Sequence, residues 1–407
     1  MLSHGWNNDK AEAARLYDQL TSNLERVLAA EVVPGLEGRR FGVLRLYWPS
    51  KKFADADLIP GGGAASATQQ NDDALVRVLE RMKTDPERLG EPGESAARSS
   101  SIAAAQALVP RLAQDEAAQR EFVLHLRALL DPAAAHPDDG TQEFFTMEPA
   151  DIFRSFDQPV PAPAATAAGG ATALGAGGAT AGAAGGAAGL GDLLSGVKAA
   201  ARRISNFVTY YEMKQRAGTV GRIGLAPVLR ELRARAPALR LHLVGHSFGG
   251  RLVTAAAHAL PDRTPAVTMS LLQAAFSHNG LASRFDQKND GAFREVMSQA
   301  RISGPIIITH TKNDRAVGIA YPLASRLSRD QAAALGDRED PYGGMGRNGA
   351  QHMGNEAQDG KLLAVGNPYD FAPGRVFNLN ADEFIRDHGD VTGEQVAYAL
   401  LNVARLV

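Results

Sequence analysis

The feature that most limits the fold of this chain lies in its second half, where short apolar, β-prone runs alternate with helical patterns. Segments 240–245, 266–272, 305–311 and 375–379 read as strands. Segments 248–260, 293–301 and 393–406 carry apolar residues at helical spacing. A strand followed by a crossover helix pairs in parallel with the next strand, so both sheet faces become covered. The expected class is therefore α/β, a mostly parallel central sheet with helices on both faces and ligands at the carboxyl ends of the strands.

The first half is organised differently. Asn8 or Asp9 is placed to cap a helix carrying Ala13, Leu16, Tyr17, Leu20, Leu24, Val27 and Leu28, ending near Pro34-Gly35. Segment 41–48 is apolar and β-prone, as expected of a buried strand, and Trp48-Pro49-Ser50 opens a loop. The texture then changes, with helices expected at 75–82 and 122–130 among polar connectors. Segment 159–190 is almost entirely Ala, Gly, Thr and Pro, which offers too little branched surface to offset the entropy of ordering and reads as a flexible linker. The expected organisation is an α/β core from 1–52 and 191–407, interrupted by an insertion over 53–190 whose helices are placed to form a lid. Helices at 193–215 and 227–235 lead back into the core.

Composition excludes several function classes. In 407 residues, 43 Lys and Arg against 45 Asp and Glu leave a net charge of -2, so no overall field draws the chain to nucleic acid or an anionic membrane. With no cysteine there are no disulfides, thiolate nucleophiles or Cys-ligated metals. No H-E-x-x-H zinc pattern, P-loop or kinase signature occurs. No secretory leader and no apolar run of membrane-spanning length is visible, which gives a cytoplasmic protein without a transmembrane segment as the expectation.

One motif carries chemistry. Gly245-His246-Ser247-Phe248-Gly249 sets a G-x-S-x-G pattern between an expected strand and helix. A serine at so sharp a turn crowds its flanks, so Gly245 and Gly249 leave room, while the helix start favours a developing oxyanion. Such a nucleophile calls for an acid and then a histidine later in the chain, each just beyond a strand. Asp314 follows strand 305–311, and His388 follows the last strand and precedes the last helix. His352, in a Gly-rich stretch before the last strand, is the rival base. His246 reads as shaping the elbow, His242 and His258 as structural, and Asp382, Asp387 and Asp390 as local capping groups, Asp390 being the fallback acid.

These residues and their order resemble the α/β-hydrolase superfamily of serine hydrolases, over 1–50 and 191–407. The blocks Tyr47-Trp48-Pro49-Ser50-Lys51 and 210–221 resemble a little-characterised bacterial subgroup of it. The resemblance implies two oxyanion donors, the Phe248 N–H and, from the match of His4-Gly5-Trp6-Asn7 to the His-Gly motif, the Trp6 N–H. In the family that motif ends a central strand, whereas here only three residues precede His4, so the N-terminal strands are expected to be missing or shortened and the natural start to lie upstream. The implied activity is cleavage of an ester, thioester or amide, ester first, on a small or lipid-like substrate, with no metal or organic cofactor. An interaction module that keeps the fold without turnover is the other expectation.

Overall fold

The computed structural model describes residues 1–6, 8–50, 67–84, 96–157, 196–314, 317, 338 and 340–407. Among these residues, seven strands form one all-parallel sheet: β1 Leu2–Ser3, β2 Arg45–Leu46, β3 Leu241–His246, β4 Val267–Leu272, β5 Ile306–His310, β6 Ala357–Lys361 and β7 Val376–Asn380. Their order across the sheet is β2-β1-β3-β4-β5-β7-β6. The helices are α1 Lys10–Ala29, α2 Ala67–Thr84, α3 Ala96–Leu108, α4 Glu116–Arg127, α5 Thr141–Thr146, α6 Pro149–Asp157, α7 Val197–Thr219, α8 Ala226–Arg235, α9 Phe248–His258, α10 Glu295–Ser298, α11 Met345–Asn348 and α12 Glu394–Ala404.

Alternation along the strands sorts their side chains onto two faces, as a period of two requires. Leu243, Met269, Leu271, Ile306, Ile308 and Val376 pack with α9, α8 and the second half of α7. Val244, Leu272, Ile307, Phe377 and Leu379 pack with α1 and α12. Asp9 caps α1 with a reciprocal bond to Glu12, so of the two expected caps it is Asp9 that acts. A third apolar cluster lies away from the sheet and joins α2 to α6 with Ala200, Ile204, Phe207, Val208 and Tyr211 of α7. One helix thus contributes to two cores, its first half to the helical cluster and Met213 and Ala217 to the sheet.

Two expectations need correction. Segment 41–48 is not a buried strand: only Arg45 and Leu46 pair, at the sheet edge, and Phe41, Val43, Leu44 and Tyr47 are exposed. Apolar content alone does not place a strand in the interior, because a short edge strand has the same composition. The expected helix at 293–301 is a single turn, α10. Strand β6, of sequence Ala-Gln-Asp-Gly-Lys, has no β signal and was not expected; it pairs with β7 at the other sheet edge, where the polar side chains are solvated. The Ala/Gly stretch 159–190 lies outside the described residues. The ends of the segment that holds it are joined, since the Asp157 carboxylate accepts from the Gly196 N–H at 2.6 Å.

Candidate active site

The strand order reverses direction between β1 and β3, the kind of switch point at whose strand carboxyl ends open α/β sheets bind ligands. Ser247 follows β3 there with φ 56° and ψ −125°, a strained backbone that costs on the order of 1–3 kcal/mol outside glycine and persists only when its surroundings fix it. Those surroundings are explicit. The Ser247 N–H donates to Leu272 O at 3.0 Å, and its carbonyl accepts from Gly250 and Ala275 at 2.9 and 3.0 Å. A Cβ on Gly245 would meet the Gly249 carbonyl carbon at 2.5 Å, and one on Gly249 would meet His4 O at 2.5 Å, so both glycines are demanded by close approach. Ser247 is the residue before α9, and Phe248 opens that helix, where the first amides lack intrahelical acceptors.

The segment after β1 closes the other wall. A Cβ on Gly5 would stand 2.6 Å from Ser247 Cβ and 3.1 Å from its Oγ. His4 fixes this segment: its Nε2 accepts from the Trp48 N–H at 3.2 Å, which leaves Nδ1 to donate to Gly5 O at 2.9 Å. Ser50 Oγ and Asn8 Nδ2 donate to the same carbonyl at 3.1 and 3.3 Å. In a trans peptide the N–H points opposite the C=O, so the Trp6 N–H turns away from these three donors. The Trp6 ring packs on Phe248 and Tyr210, with centroids 5.7 and 6.0 Å away.

Asp314 and His388 meet beyond β5 and β7. Asp314 is fully buried, and its Oδ2 accepts from His388 Nδ1 at 2.8 Å while Oδ1 accepts from the Val317 N–H at 2.9 Å. Burial alone would lower the His388 pKa, but the adjacent Asp314 charge and hydrogen bond outweigh it and hold it above the ordinary value of 6.5. Asp382, one of the capping groups read from the sequence, ties the two loops together, accepting from Thr311 Oγ1 at 2.7 Å and the Lys312 N–H at 3.0 Å. His352 is elsewhere: it is exposed and its Nδ1 contacts Asn279 Oδ1 at 2.7 Å. His246 does more than shape the elbow. Its pKa is pushed down to about 3 by burial, aided by the neighbouring His388, so the ring is neutral and its Nε2–H donates to the His388 carbonyl at 2.7 Å.

Gln273, directly after β4, carried no sequence signal beyond its place at a strand's carboxyl end, yet it also donates to Asp314. Among the described residues, no group of three or more His, Asp and Glu is arranged to hold a metal ion, and no helix is long and apolar enough to cross a membrane. No protein-family model, curated protein or solved structure matches the chain.

Proposed function

We propose that the protein is a serine hydrolase of the α/β-hydrolase type that cleaves a carboxylic ester through an acyl-enzyme. The observation that carries the proposal is Ser247 held in a strained turn at the sheet's switch point, with a hydrogen-bonded Asp–His pair on loops beyond neighbouring strands. Fold alone would not support it.

With Nδ1–H committed to Asp314, neutral His388 offers Nε2 as the base. Ser247 Oγ bonds to the carbonyl carbon as its proton passes to Nε2, and the carbonyl electrons move onto oxygen. The Phe248 and Trp6 amides are the proposed donors to that oxyanion, each worth about 3 kcal/mol when well placed. Collapse expels the alcohol, which takes the proton from Nε2. Water, deprotonated by the same nitrogen, then releases the acid and restores Ser247. The Asp314 charge stabilises the imidazolium formed in each half.

A fluorophosphonate probe tests the reading. Wild type is expected to label at Ser247 and to hydrolyse p-nitrophenyl butyrate, and Ser247→Ala to lose both, with kcat falling on the order of 10⁶-fold. Wild type that neither labels nor turns over, while folded, would favour the interaction module over the enzyme.

A further inference from the structure

We propose that Gln273 is a positioning residue of this site, a second donor that holds the Asp314 carboxylate in the plane it presents to His388. The inference rests on the hydrolase reading above. Gln273 Nε2 donates to Asp314 Oδ2 at 3.2 Å, the same oxygen that accepts from His388 Nδ1 at 2.8 Å. It also donates to Gly346 O at 2.9 Å. Both neighbours are acceptors, which fixes the amide with its NH2 toward them. Each of the two N–H bonds is thereby used, and rotation that would release Asp314 also breaks the bond to Gly346.

Three unfavourable features accompany this contact. Gln273 adopts φ 45°, it is completely buried, and its Oε1 has no donor among the described residues. An apolar side chain there would have no buried amide to satisfy, so folding alone does not call for glutamine. Strain and an unsatisfied polar atom on one residue, aimed at a reacting group's partner, mark a functional constraint.

The backing is equally specific. Gly346 N donates to Ala274 O at 2.8 Å, and a Cβ on Gly346 would stand 2.5 Å from the Gln273 carbonyl carbon. Thr311 N donates to Gly346 O at 3.0 Å, so this carbonyl joins the strand ends that carry Gln273 and Asp314. The Gly-rich stretch before β6 thus supports the acid from behind. The carboxylate is left with three directed bonds, from His388, Gln273 and the Val317 amide, which fix both its position and the plane of its oxygens.

The charged and titratable groups facing His388 are Asp314, Asp387 on its own loop, and His246 on β3. Replacing Gln273 with glutamate adds a buried carboxyl group against Asp314. Beside that like charge it keeps its proton near neutral pH, so its O–H takes the place of the amide donor and kcat should stay near that of wild type. Replacing Gln273 with methionine keeps length and removes the donor without adding charge. Loss of orientation then reads as a fall in kcat of roughly 10- to 100-fold at nearly constant KM.

The experiment compares full-length wild type, Gln273→Met and Gln273→Glu by p-nitrophenyl butyrate kinetics from pH 5.5 to 9, with fluorophosphonate labelling and circular dichroism in parallel. Expected are native spectra, the fall in kcat for Gln273→Met and kcat near wild type for Gln273→Glu at pH 7. Active wild type with kcat unchanged in Gln273→Met, or lowered equally in Gln273→Met and Gln273→Glu, overturns the role of Gln273 as a donor and leaves the hydrolase reading standing. Wild type with no labelling at Ser247 overturns both. If Gln273→Met unfolds, Gln273→Asn decides, since the shorter amide no longer reaches Asp314: unchanged kcat overturns the role, and a fall at constant KM supports it.

Discussion

Acid should unfold this protein through its histidines before its carboxylates protonate. His246, His278 and His310 are 6%, 0% and 7% exposed. Burial lowers all three from 6.5, His246 and His278 to about 3 and His310 to about 4. Each stays neutral in the fold while the unfolded chain binds a proton, so stability is present above pH 6.5 and lost as pH falls. The slope is about 1.4 kcal/mol per pH unit for each group. Together they remove about 4 kcal/mol by pH 5.5 and about 8 kcal/mol by pH 4.5, against a typical domain stability of about 5–15 kcal/mol. Groups shifted the other way do not compensate. The raised His136 and His388 are protonated in both states below 6.5, and their contribution is lost only as pH rises through their folded values. Asp138, Asp359 and Asp382 lie below 3.8, so their contribution is lost only at still lower pH. Urea midpoints between pH 7.5 and 5 should therefore fall steeply, and unfolding at pH 5.5 should take up about three protons, with somewhat more if partly exposed His242 joins. Uptake below one proton, or midpoints flat from pH 6.5 to 5, would refute the argument. On the proposed hydrolase reading the activity limb follows His388, whose pKa is raised from 6.5, so loss of rate should begin at higher pH than unfolding and reverse on neutralisation.

The other predictions concern the site and the chain's path. Gly5→Ala places a methyl 2.6 Å from Ser247 Cβ and should lower kcat/KM at least about 100-fold with little change in circular dichroism; wild-type rates would show that this wall is not part of the site. His388→Ala should abolish phosphonate labelling while His352→Ala keeps it, and the opposite pattern would move the base to His352. His246→Phe removes the donor to the His388 carbonyl and should reduce kcat roughly tenfold without altering KM, read from steady-state kinetics. Replacing 158–195 with a linker about one sixth as long should preserve the fold and raise stability by about 1–2 kcal/mol, because the ends already meet at Asp157 and Gly196. A lower urea midpoint would show that the removed residues contribute packing.

The parts of the fold that were legible are those whose signal is local. Strands β3, β4, β5 and β7 are apolar runs bounded by breakers, and the parallel sheet follows from the helices between them. Edge strands defeat composition in both directions: 41–48 is too apolar for its position, and β6 has a polar sequence that becomes a strand only through pairing with β7. The places of Ser247 in the turn after β3, and of Asp314 and His388 on loops beyond β5 and β7, are legible because chain order and strand ends constrain them. Gln273 and Gly346 are not, since their meeting is set by packing between loops far apart in sequence, which no periodicity records. His246 is legible as a neighbour of the serine, but its bond to the His388 carbonyl depends on the path of a loop after β7.

Helix α7 bears on how the molecule divides. Its first half is clamped by the apolar side chains of α2 to α6, and farther along Lys214 forms a completely buried ion pair with Asp139. Beyond that, the π-helical turn Val220–Leu225 presses Gly221 against Leu252 and Ala255 of the helix that begins at Phe248. One continuous helix is therefore seated in both cores, and a cut anywhere along it would strip water-excluding contacts from one of them. The helices α2 to α6 are thus an outrigger braced, through α7 and the π-helical turn after it, to the helix that follows Ser247.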